Sequence, residues 1–140
     1  MRWPWQKKEA TPKHLQAGLW GEKQAVDALR KKGYRILGTR VRVGKRDELD
    51  MVARHKNVLV FVEVKTRQSE DFGRPISSVT PAKRRSLSRA AMHYLQKIRK
   101  KPDNFRFDVV EVIGSEDEGH PEIRIIENAF TLGNAYRIPW

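Results

Sequence analysis

At 140 residues the chain has the length of one domain, with a core large enough to stand without covalent staples. It contains no cysteine, which excludes disulfides and thiolate metal sites, and its longest strictly apolar run, Val58 to Val62, is far too short to cross a bilayer. With 29 Lys and Arg against 17 Asp and Glu the formal net charge is +12, a balance that attracts polyanions without choosing among DNA, RNA and anionic lipid.

Residues 1–13 read as a basic, flexible arm, and 14–140 as a single domain. The arm lacks the apolar stretch of a signal peptide, which points to the cytoplasm. Its Trp3 and Trp5 are able to stack on bases, although fraying is the ordinary fate of such a terminus. From His14 to Lys32 the periodicity is helical, with Leu15, Leu19, Val26 and Leu29 on one seam. Glu22 falls on the same seam, where a carboxylate is costly unless it is paired, hydrogen-bonded or bound to a cation. Gly33 stops the helix, and Tyr34 to Val43 reads as a first strand.

Two further strands follow, at 47–54 and 58–66. In the second, valines occupy 58, 60, 62 and 64 while Leu59, Phe61, Glu63 and Lys65 line the other face. Both faces are apolar, as expected of a strand covered on both sides. The first has Leu49, Met51 and Ala53 on one side and Asp50 and Val52 on the other. A turn with an even number of residues sets Asp50 against Glu63, whereas an odd turn mixes charge into an apolar face, so the pattern predicts the even register. Like charges so placed destabilise a sheet unless something compensates them. A hard divalent cation such as Mg²⁺ or Mn²⁺ does so, and Lys65, two residues beyond Glu63, reaches the same place.

Glu70 to Ser78, with Gly73 and Pro75, reads as a mobile loop flapping over this site. Thr80 and Pro81 have the character of an N-cap and first helical position, followed by a seam of Leu87, Ala91, Tyr94 and Ile98. Between Asp71 and Asp103 no acidic residue occurs, so the exterior of this helix, with Lys83, Arg84, Arg85 and Arg89, is almost wholly positive. Phosphate is the expected counter-anion, and a membrane surface is disfavoured because the apolar stripe is needed for the core. Phe105 to Ile113 is a fourth strand, in which Asp108 reads as an edge charge or a supporting acid, and Glu122 to Glu127 adds an edge strand. The four histidines are scattered and read as surface or incidental core residues. Strands between two amphipathic helices predict an α/β sandwich with a mixed sheet.

Gly18-Leu19-Trp20-Gly21-Glu22, Gly33-Tyr34-Arg35-Ile36-Leu37, Glu48-Leu49-Asp50, Phe61-Val62-Glu63-Val64-Lys65-Thr66-Arg67, Val79-Thr80-Pro81-Ala82-Lys83 and Arg106-Phe107-Asp108-Val109-Val110 together resemble the YraN-like family of small bacterial proteins. That family belongs to the PD-(D/E)xK nuclease-like superfamily, near the archaeal Holliday junction resolvases. The resemblance implies a restriction-endonuclease-like, three-layer α/β/α sandwich and a Mg²⁺- or Mn²⁺-dependent endonuclease acting on DNA. By the same resemblance Asp50, Glu63 and Glu22 bind the metal with the Val64 carbonyl, Lys65 is the catalytic lysine, and Thr66, Arg67 and the basic helix contact phosphates. Leu49 stands where the superfamily's proline would, and Asp47 where relatives often have glycine; neither change removes a ligand. A resolvase-like role implies a symmetric homodimer, two sites for two strands. The alternative is a non-catalytic nucleic-acid-binding protein that keeps the fold.

Overall fold

The computed structural model describes residues 12–132; the tryptophans of the N-terminal arm lie outside them. Helix α1 (Lys13–Lys31) leads into β1 (Tyr34–Val43), β2 (Asp47–His55) and β3 (Val58–Arg67). A 3₁₀ turn (Pro75–Ser78) and helix α2 (Pro81–Lys97) then cross to β4 (Asn104–Ile113) and β5 (Glu122–Phe130). The five strands lie in sequence order, and only β3 and β4 are parallel, because α2 carries the chain back between them.

Local chemistry accounts for these elements. The Thr80 side chain accepts the backbone N–H of Lys83 at 3.2 Å and Pro81 supplies a preset φ, which starts α2 where the sequence indicated. Gly33, at φ 88°, turns the chain out of α1 in a conformation that suits glycine. His55 pairs with Val58 across the two residues Lys56 and Asn57, and Met51 with Val62, which is the even register.

Each face of the sheet carries one helix. Leu59, Phe61, Phe107 and Val109 pack with Leu87, Ala91 and Leu95 of α2, while Val60, Val62, Val110 and Val112 pack with Ala25 and Leu29 of α1. The alternation read in β3 is thus observed. In β2 it breaks at Asp50: Leu49 joins Val52 on the α2 side, whereas Met51 and Ala53 face α1. Arg40, in the left-handed region at φ 50°, stands opposite this break, between the Thr39–Met51 and Val41–Leu49 pairs.

Helix α1 is rotated from the predicted seam. Its buried residues are Gly21, Ala25 and Leu29, while Leu15 and Leu19 remain 42% and 41% exposed. The cause is steric: a Cβ on Gly21 would lie 1.9 Å from Thr66 Oγ1, so only glycine lets the helix backbone settle this close to β3. The small-residue face therefore wins over the larger leucines. The buried face of α2 is wider than predicted, adding Ser88, Ala90, Met92 and Leu95.

Candidate active site

The ladder between β2 and β3 ends at Met51–Val62, one residue short of the two acids. Beyond it the Asp50 side chain takes the place of a strand neighbour, its Oδ2 accepting the Val64 N–H at 2.9 Å. The freed space is an open cleft of about 460 Å³. Glu22, Asp50, Glu63, Val64, Lys65, Thr66 and Arg67 all line it, joined by Lys83 from the first turn of α2 and His14 from α1.

Glu63 is 4% exposed. Its Oε1 is 3.2 Å from Lys65 Nζ and 3.6 Å from Lys83 Nζ, yet its buried Oε2 has no hydrogen-bond partner among the described residues. Burial, reinforced by the charge of Asp50, pushes the Glu63 carboxyl up to about 7 against the opposing pull of Lys83 and Lys65. A buried carboxylate oxygen without a donor is expensive, and perturbed carboxyls of this kind concentrate at functional sites. Paired carboxylates are hard oxygen donors of the kind that suit Mg²⁺ or Mn²⁺, so the chemistry of Asp50 and Glu63 fits such an ion. Glu22 reaches the cleft from α1, but its carboxylate is bound by Arg40 Nε at 3.0 Å. Among the described residues no three His, Asp or Glu side chains gather closely enough to hold an ion on their own.

The residues expected to meet phosphate divide into groups. Lys83, Thr66 and Arg67 line the cleft, Arg67 Nη1 donating to the Thr66 carbonyl at 2.7 Å. Arg85 is exposed on the outer face of α2. Arg84 donates from Nε to the Val79 carbonyl at 3.1 Å and lies 5.5 Å over the Phe130 ring. Arg89 departs most from the sequence reading: it forks onto Asp47 at 2.9 and 2.8 Å, tying α2 to β2 and holding the Asp47 carboxyl below its usual value.

Two acids on β4 are buried, Asp108, which the sequence singled out, and Glu111, which it did not. Asp108, far from an edge charge, is fully buried and accepts from Tyr34 Oη at 2.8 Å, Arg106 Nε at 2.9 Å and the Asn128 N–H at 2.9 Å. Glu111 is equally buried and binds Arg74, Arg124 and the Ile76 N–H. The second half of the 70–78 loop is thereby anchored to β4, while Phe72 in its first half is fully exposed. Apart from Arg106, two residues from Asp108, the partners of these acids are distant in sequence.

Fold and cleft together define a small α/β protein with a mixed five-stranded sheet and a paired-carboxylate, paired-lysine site at the frayed end of its hairpin. The chain belongs to the uncharacterised protein family UPF0102, the YraN-like family, whose model matches residues 21–112 and so includes Glu22, Asp50, Glu63, Lys65 and Lys83. It is 46% identical over 110 residues to a UPF0102 protein of Symbiobacterium thermophilum, and 44% over 110 to one of Caldicellulosiruptor saccharolyticus; each match covers 79% of this chain and 92% of the relative. A UPF0102 protein of Pelobacter propionicus is 42% identical over 125 residues, 88% of either chain. No helix among the described residues is long and apolar enough to cross a membrane.

Proposed function

We propose that the protein is a cytoplasmic, metal-dependent endonuclease that hydrolyses DNA phosphodiesters, with branched recombination or repair intermediates as its substrates and a restriction-endonuclease-like sandwich as its scaffold. The observation that carries this reading is Glu63: a buried carboxylate with one oxygen that has no partner among the described residues, next to Asp50 and flanked by two lysines, in a cleft wide enough for a phosphate. A carboxylate kept only for stability would have its oxygens satisfied.

Asp50, Glu63 and the Val64 carbonyl would hold Mg²⁺ or Mn²⁺, with Glu22 across the cleft as a further donor once released from Arg40. What such an ion supplies is polarisation of a phosphoryl oxygen and activation of water near neutral pH. The chain's own groups do the rest. Val64 N–H fixes the orientation of Asp50 through its hydrogen bond. The Lys65 ammonium, on the face of Glu63, stabilises charge that develops on the phosphoryl oxygens and orients the attacking water. Thr66, Arg67 and the outer face of α2 position the backbone of the nucleic acid without reading its sequence. A homodimer would present two such clefts to two strands.

The test is incubation of the full chain with linear, single-stranded and four-way-branched DNA, in Mn²⁺ or in chelator. The proposal expects Mn²⁺-dependent cleavage that disappears in Asp50→Ala and Lys65→Ala. Binding that survives both substitutions, with no cleavage of any substrate, identifies a nucleic-acid-binding protein with a silent site instead.

A further inference from the structure

Lys83 carries an inference that deepens this reading and rests on it. It stands in the first turn of α2, eighteen residues beyond Lys65, and its backbone N–H is already spent on the Thr80 cap. Its side chain, 39% exposed, turns from the positive exterior of the helix into the cleft, where its ammonium shares Glu63 Oε1 with that of Lys65. Two ammoniums converge on one oxygen while the other oxygen of the same carboxylate has no partner among the described residues. Such crowding places like charges side by side, and it persists only while Glu63 is the best anion within reach.

We propose that Lys83 is a shared counter-ion, exchanged between Glu63 and the substrate phosphate, so that a divalent cation and a phosphodiester bind this cleft cooperatively. A cation arriving at Glu63 displaces the Lys83 ammonium, which becomes available to phosphate. A phosphate entering first draws the ammonium off Glu63 and opens the carboxylate to the cation. Each ligand removes the other's competitor, and by linkage the two effects are equal in size. Lys65, held on the same strand as Glu63, has less freedom to leave it, whereas Lys83 approaches from a different element and retains solvent on one side.

Two titrations of the full chain test this at mildly alkaline pH, where Glu63 is ionised. Mn²⁺ binding is followed by the electron paramagnetic resonance of the free ion, without DNA. Binding of a short fluorescent duplex with phosphorothioate linkages, checked by gel to be intact after each titration, is followed by anisotropy, in Mn²⁺ and in chelator at matched ionic strength. Lys83→Met is expected to tighten Mn²⁺ binding severalfold and to lose most of the gain in duplex affinity that Mn²⁺ gives the wild type, a gain of about fivefold or more. Arg85→Met removes the same charge from the exposed face of α2 and is expected to weaken duplex binding equally with and without Mn²⁺, leaving Mn²⁺ affinity unchanged. Lys83→Arg keeps the charge and should keep the coupling, which separates exchange from any change in folding.

The exchange is overturned if Lys83→Met binds Mn²⁺ no more tightly than the wild type, if it keeps the full gain, or if the wild type binds no Mn²⁺ or shows no gain. The nuclease reading is judged separately by cleavage of ordinary DNA. Coupling without cleavage leaves the exchange standing and removes the nuclease; cleavage without coupling does the reverse.

Discussion

Glu63 on β3 and Glu111 on the adjacent β4 lie on the same face of the sheet, and both are buried, yet their surroundings are opposite. Glu111 accepts from Arg74 Nη2 at 2.8 Å, Arg124 Nη1 at 3.1 Å and the Ile76 N–H at 2.9 Å, so both oxygens are satisfied. Burial by itself would raise its carboxyl, but these hydrogen bonds and charges bring it below its ordinary value. Glu63 has two lysines on one oxygen and, among the described residues, no partner on the other, and its carboxyl is raised. The satisfied glutamate fastens a loop to a strand; the unsatisfied one has the character of a binding group. Burial alone does not distinguish these two glutamates, whereas completeness of hydrogen bonding does.

The comparison breaks most visibly on activity. Glu63→Gln is expected to lower Mn²⁺-dependent cleavage of branched DNA by at least about 100-fold, on the scale of losing one charge-stabilising group, while Glu111→Gln that remains folded keeps most of it. Stability should run the other way. Glu111→Gln weakens charge-assisted hydrogen bonds to a fully buried group and should cost about 2–3 kcal/mol in urea unfolding. Glu63→Gln removes a buried, incompletely hydrogen-bonded carboxylate and should leave the midpoint unchanged or raise it. A stabilised Glu111→Gln would erase the distinction.

Packing at the rim of the cleft offers a third measurement. Gly21→Ala drives a methyl group into Thr66 and should destabilise by about 1–3 kcal/mol, with part of the loss recovered when Thr66 is also replaced by Ala. If Gly21→Ala alone is neutral, the close approach of α1 to β3 is not what rotates the helix.

The smallest effect is the sign of the pH dependence with divalent ions chelated. Glu63 has a folded value near 7 against an ordinary 4.5, so its contribution is fully present below pH 4.5 and is lost as pH rises toward 7. Glu111 is depressed, so its contribution is present above its ordinary 4.5 and is lost as pH falls through the folded value. Urea midpoints across this range should therefore flatten on the near-neutral side in Glu63→Gln and on the acid side in Glu111→Gln.

How far the sequence carries depends on the range of the forces involved. Alternating valines in β3, the Thr80–Pro81 cap and the Gly33 stop act within a few residues, so the strands, both helices and the hairpin register could be read directly, and with them the meeting of Asp50, Glu63 and Lys65. The early end of the β2–β3 ladder could not, because it depends on Asp50 turning its own side chain to the Val64 N–H.

The linear order of residues determined which segments pair, which faces are apolar and which acids share a hairpin, since period and turn length are properties of neighbours along the chain. Only the tertiary structure decided that α1 turns its glycine to Thr66, that Arg89 is spent on Asp47 and that Lys83 leaves a basic helix to stand over Glu63. Those outcomes are settled by competition among groups far apart in sequence for the same space or the same oxygen, and no periodicity records which competitor is nearer.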